Sequence, residues 1–173
     1  FRRVLFRSGI NVGLYRDGKR DLADVVEGIA QIEQIKLVRI SSIEPQLLIG
    51  DLLPRIMRAD KLAPHFHIPL QSGCDAVLRA MGRRYDRNLV AELVAQIKEQ
   101  FPLAAIGFDL ICGYPGEDQA LFEDSYKFLA GLPIAYLHVF PYSIRKGTLA
   151  AKDKNQVPNA VKNQRSKLLT ALS

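Results

Sequence analysis

Two histidines stand one residue apart in His65-Phe-His67, and Ile68-Pro-Leu-Gln71-Ser72-Gly-Cys74 follows them. Alternate residues of a strand share a face, so an H-x-H pair presents two imidazoles together. Imidazole is the commonest protein ligand for a metal. One alternative is therefore a metal-dependent hydrolase barrel using His65 and His67. The pair, however, sits at the start or middle of its strand. Metal-bound histidines normally pass their second N–H to a carboxylate or carbonyl, and no such carboxylate is identifiable from the sequence. The expectation is a buried, hydrogen-bonded pair, and no metal ligand is assigned.

Two other strings carry polar groups in the same way: Arg39-Ile-Ser41-Ser42-Ile-Glu44-Pro45 and Gly113-Tyr-Pro115-Gly-Glu117. Each ends an apolar, strand-like run in polar residues, Gly or Pro. Loops at 11–15, 41–45, 71–74, 113–118 and 142–148 supply hydroxyls, an amide, a carboxylate and open backbone. That chemistry binds a polar ligand. It names no reaction and no catalytic residue, because neither a Ser-His-Asp set nor a phosphate-cradling Gly-rich loop is present. Plainer roles stay open. Glu44 is placed to cap the helix that Pro45 begins, Arg83 to be a solvated surface residue, and Gly113 and Gly116 to form turns.

Alternating elements must position these loops. Strand-like runs start near positions 9, 36, 65, 105 and 135, with helical patterns between them. Asp21 caps a helix through about Ile32, and Lys36 to Ile40 is a short strand. Pro45 starts a helix across Leu47, Leu48, Leu52 and Ile56. His65 to Leu70 is a strand, followed by a helix through Val77 and Leu78. Asp86 caps the next helix, Ala105 to Cys112 is a strand, 118–130 a helix and Ala135 to Phe140 a strand. Pro158 to Leu172 is a basic amphipathic helix. Strict alternation implies parallel strands joined by crossovers. Ligands of such folds bind at the carboxyl ends of the strands. The fold class is α/β, and an open flavodoxin-like sheet fits the periodicity nearly as well as a barrel.

With 173 residues, 48% hydrophobic and 24% charged, the chain has the composition of an ordinary globular domain. No apolar run is long enough to span a membrane, so no membrane partner is expected. Cys74 and Cys112 have neither metal-ligand spacing nor a disulfide framework and read as packing thiols in a reducing, cytoplasmic setting. Residues 1–8, Phe-Arg-Arg-Val-Leu-Phe-Arg-Ser, match the translation of a common sequencing-library adapter and are read as non-native. The net charge of +6 is unevenly spread: residues 1–8 contribute +3 and 151–173 contribute +4, leaving −1 for 9–150. Charge alone gives the body no nucleic-acid partner.

Six strings in order resemble the radical S-adenosylmethionine methylthiotransferases, which modify tRNA. They are Gly9-Ile-Asn11-Val-Gly13, the run at 39–45, His67-Ile-Pro-Leu-Gln-Ser-Gly73, Met81-Gly-Arg83-Arg-Tyr85, Asp109-Leu-Ile-Cys-Gly-Tyr-Pro-Gly-Glu117 and the run His138 to Thr148. The resemblance covers nearly all of 9–165. The Ser-Ser-Ile-Glu form is most similar to the branch acting on N6-threonylcarbamoyladenosine beside the anticodon. The isopentenyladenosine and ribosomal-protein branches are alternatives, and so is a non-catalytic binding module.

The resemblance implies a partial, TIM-like (β/α)6 radical barrel over 9–150, lacking its first strand and cluster loop. A basic helix at 151–173 would lead to an RNA-binding domain. It implies S-adenosylmethionine as cofactor, with 4Fe-4S clusters in the full-length parent whose cysteine ligands are absent from this chain. It also implies tRNA as substrate and an electron donor such as flavodoxin or ferredoxin. In such enzymes the cleaved cofactor abstracts hydrogen from C2 of the adenine, where a methylthio group is inserted. Cofactor contacts implied are Asn11, Gly13, Ser41, Ser42, Glu44, Gln71, Ser72, Arg83, Gly113 and Pro115. Glu44 would face the methionine ammonium, Gln71, Ser72 and Arg83 the ribose and carboxylate, and Gly113 and Pro115 the adenine.

Overall fold

The computed structural model describes residues 12–173. Residues 1–8, the strand end at 9 and Asn11 lie outside them. Val12–Leu14 forms a turn of 3-10 helix. Leu22–Ala30 (α1) is opened by Asp21, whose carboxylate accepts from the Ala23 and Asp24 N–H groups, while Asp24 accepts from the Asp21 N–H at 2.7 Å. This reciprocal cap satisfies donors that a helix start leaves free.

The helix expected from Pro45 divides into a 3-10 turn, Pro45–Leu47, and Leu52–Met57 (α2). Gly50, at φ +74°, and Asp51 turn the chain between them. Arg55 of α2 reaches Asp21, Asp24 and Glu27 at 3.2, 2.9 and 3.2 Å and ties α2 to α1.

Three parallel strands follow in sheet order: His65–Gln71 (β1), Ala105–Cys112 (β2) and Tyr136–Pro141 (β3). Asp75–Ala80 (α3) and Arg87–Gln100 (α4) connect the first two, and Gln119–Ala130 (α5) the last two. Asp86 and Asp118 cap α4 and α5 through the Leu89 and Leu121 N–H groups. Leu149–Lys152 (α6) and Asn159–Thr170 (α7) complete the chain.

Five strands are expected from the sequence, and three form among the described residues. Lys36 to Ile40 is not a strand: Val38 alone bridges to Leu62. Leu37 is 64% exposed, so the run buries too little to hold a ladder. The (β/α)6 reading thus appears here as three parallel β/α units of a partial barrel.

Strand alternation sorts the sheet into two faces. Phe66, Ile68, Ile106, Phe108, Leu110 and Leu137 share one buried cluster with Val90, Leu93, Val94 and Ile97 of α4 and Phe122 and Leu129 of α5. The opposite face carries His65, His67, Asp109, Tyr136 and His138.

The last helix is not merely a solvated basic face. Lys162 and Arg165 of α7 are buried, and Leu169 joins the core. The Lys162 Nζ donates to the Tyr142 carbonyl at 3.0 Å, and its aliphatic stem packs over Gly113. Gly113 sits at φ +71°, where an added Cβ would stand 2.4 Å from the Lys162 Cγ.

Candidate functional site

Three cavities open around the polar face and the β1 carboxyl end. The first, about 730 Å³, is lined by Ser41, Ser42, His65, His67, Asp109 and His138. The second, about 820 Å³, takes Gln71, Asp109, Tyr114, Tyr142 and Arg145. The third, about 370 Å³, takes Glu44, Gln46, Arg83 and Arg84.

Glu44 does not cap the turn that follows it; its side chain makes no capping bond. It accepts instead from the Arg83 Nη1 at 3.2 Å and from the Gln46 side chain. Arg83 is therefore not a free surface cation. Its buried Nε and the Gln46 Oε1 have no protein partner. Buried polar atoms are normally hydrogen-bonded, so these two atoms have room for a further polar partner.

The other residues implied by resemblance scatter. Ser41 and Ser42 line the first cavity and Gln71 the second. Gln71 holds φ +71°, a conformation uncommon for a side-chain-bearing residue, just where β1 slips out of register with β2. Ser72 is buried, and its Oγ accepts from the Cys74 N–H at 3.2 Å. Pro115 is buried, and the space beside Gly113 belongs to Lys162. Gly13 packs against Ile43, whose Cγ2 would lie 2.8 Å from an added Cβ. Among the described residues these positions do not converge on one cavity.

The carboxylate that the sequence does not reveal is Asp109. His67 Nε2 lies 2.9 Å from its Oδ2, and His138 Nδ1 lies 3.2 Å from its Oδ1. Tyr136 Oη bridges His67 Nδ1 at 2.9 Å and His65 Nε2 at 3.0 Å, and Arg39 Nε donates to His65 Nδ1 at 3.2 Å. Burial, and then the Arg39 charge, hold the His65 imidazole below its ordinary pKa, which favours its neutral form. Gly107 makes room for this row, since a Cβ there would fall 2.0 Å from the Tyr136 ring. The available signal was one charged residue, Asp109, inside the otherwise uncharged strand Ala-Ile-Gly-Phe-Asp-Leu-Ile-Cys.

The fold has a solved counterpart. The chain is similar to the archaeal Elp3 of Methanocaldococcus infernus, with TM-score 0.54 and 12% identity over 77% of this chain and 31% of that one. No family model matches. The chain is 40% identical to the threonylcarbamoyladenosine tRNA methylthiotransferase MtaB of Aquifex aeolicus, covering 88% of this chain and 37% of the relative. It is 38% identical to the enzyme of that name from Bacillus subtilis, over 96% of this chain and 38% of the relative. It is 37% identical to a Clostridium botulinum tRNA-2-methylthio-N(6)-dimethylallyladenosine synthase, over 91% of this chain and 36% of the relative. The chain belongs to the radical S-adenosylmethionine methylthiotransferase family, and is MtaB-like. It spans about two-fifths of the length of the curated relatives it matches.

Proposed function

We propose that this chain is the cofactor- and nucleoside-binding part of a tRNA methylthiotransferase. The full protein would act in the cytoplasm on C2 of N6-threonylcarbamoyladenosine beside the anticodon, drawing electrons from a donor such as flavodoxin or ferredoxin. The observation that carries the cofactor reading is the Glu44–Arg83 pair in its cavity, with the orphaned Arg83 Nε and Gln46 Oε1 beside it. A carboxylate next to a guanidinium complements the ammonium and carboxylate of an α-amino acid, by charge-assisted hydrogen bonds to each. S-adenosylmethionine ends in such a group and supplies methyl and 5′-deoxyadenosyl chemistry when bound. Glu44 would hold its ammonium and Arg83 its carboxylate, while Ser41 and Ser42 offer hydroxyls in the neighbouring cavity.

The described residues do not fit an iron–sulfur cluster. Such clusters are held by thiolates, and Cys74 and Cys112 are both buried, with thiols pushed up chiefly by burial. By the resemblance, the cluster ligands belong to other parts of the parent.

The test is complementation. The full reading frame is expressed in a bacterium deleted for its own threonylcarbamoyladenosine methylthiotransferase, and tRNA hydrolysates are read by mass spectrometry. The 2-methylthio derivative of that nucleoside is expected. Methylthiolation of dimethylallyladenosine instead would move the protein to the other branch, and no methylthiolated base would overturn the reading.

A further inference from the structure

Parallel strands are usually apolar on both faces. Here one face is polar. The register sets His67 beside Gly107, Gly107 beside Tyr136 and Asp109 beside His138, so the cavity side of the sheet is a row of imidazoles and a phenol around one carboxylate. An ionised carboxylate only accepts hydrogen bonds. His67 therefore carries its proton on Nε2 and His138 on Nδ1, each facing Asp109. Each Asp109 oxygen serves one imidazole and keeps acceptor capacity. Asp109 lines both larger cavities.

Beside it, the His67, Tyr136 and His138 rings lie with centroids 5.1–5.7 Å apart. This is an aromatic wall with an acceptor-only edge. Its complement is a planar heterocycle that stacks and donates.

We propose that Asp109, oriented by His67 and His138, accepts the exocyclic N6–H of an adenine nucleoside seated in the 730 Å³ cavity. The proposal rests on the tRNA-modifying reading above and names the residue that holds the base, as distinct from the cofactor. An N6,N6-disubstituted adenine has nothing to donate and should be refused.

The test titrates the isotopically labelled 173-residue chain by NMR with N6-threonylcarbamoyladenosine, adenosine and N6,N6-dimethyladenosine. The first two should shift β2 and β3 amides and bind about tenfold or more tighter than the third, as expected for a charge-assisted hydrogen bond. Asp109→Asn, which keeps a neutral carbonyl acceptor but loses the charge, should weaken that preference and leave S-adenosylmethionine binding unchanged. Equal binding of the dimethyl analogue to the unmodified chain would overturn the proposal, and that arm stands even if the variant does not fold. No binding of any nucleoside would also overturn it. So would stoichiometric Zn²⁺ binding that is lost in Asp109→Asn, since the trio would then be a metal centre. If complementation succeeds while the N6–H preference is absent, only this inference fails. If the preference is present while no base is methylthiolated, the enzymatic reading fails and the nucleoside site remains.

Discussion

Arg165 of α7 donates to the Glu117 carboxylate at 2.9 Å and to the Glu117 backbone carbonyl at 2.8 Å, with both residues about 5% exposed or less. Glu117 also accepts from the Gly113 N–H. One ion pair thus fixes the loop after β2 to the last helix. Removing one partner leaves the other charged and buried, which typically costs about 3–5 kcal/mol. Arg165→Met should therefore lower stability by that order in urea denaturation. Glu117→Gln with Arg165→Met should lose less than the two single losses added together. Additive losses would show that the pair is not coupled.

Gly107→Ala should be destabilising although the position lies mid-strand. The new Cβ would overlap the Tyr136 ring, so the ring or β3 must move. Overpacking of this kind costs about 1–3 kcal/mol. Double exchange with Tyr136→Phe should not rescue it, because the clash is with ring carbons. Tyr136→Ala in the Gly107→Ala background should recover part of the loss.

Stability should fall in acid. The Asp21 backbone N–H, then Arg55, holds the Asp24 carboxyl below its ordinary 3.8, and Arg87 does the same for Asp124. A lowered carboxylate pKa stabilises the fold above the unfolded value and loses that contribution as pH falls through the folded one. The melting temperature should therefore drop as pH is lowered below about 4. Glu117 opposes this, since burial raises its pKa despite Gly113 and Arg165. Asp124→Asn should flatten the acid limb, and an unchanged limb would rule Asp124 out as a contributor.

Cofactor affinity in the full-length protein should depend on Glu44 and Arg83. Glu44→Gln keeps the shape and removes the charge proposed to face the ammonium. A charge-assisted bond is worth about 1.5–3 kcal/mol, so affinity should fall roughly ten- to hundredfold. Equilibrium dialysis with labelled S-adenosylmethionine reads this directly. Unchanged affinity in both Glu44→Gln and Arg83→Ala would move the cofactor elsewhere.

The two thiols should be inert. Burial pushes Cys112 up to about 11 and raises Cys74 as well. Neither should react quickly with a disulfide reagent near neutral pH until denaturant is added, and anaerobic reconstitution of this chain should yield no charge-transfer absorption. Stoichiometric iron and sulfide would contradict the assignment of the cluster to other parts of the parent.

Much of the frame was legible because it is local. Caps at Asp21, Asp86 and Asp118 are read within three residues, and β1 and β2 announce themselves by composition and flanking breakers. Lys36 to Ile40 misled because β-branching favours a strand only where a neighbour completes the ladder. The basic tail does form the expected amphipathic helix, but its pattern does not show that Lys162 and Arg165 are buried against Gly113 and Glu117.

The sequence by itself determined the family and the polar strings, since both depend on residues close together in the chain. Only the tertiary structure decided who meets whom. Glu44 and Arg83 are 39 residues apart, and Asp109 reaches a histidine on each neighbouring strand. Strand register and the missing side chain at Gly107 create those meetings. The alternating pattern fixes which face each residue takes, but a slip of two residues keeps those faces, so the partners across the sheet are set by packing in three dimensions.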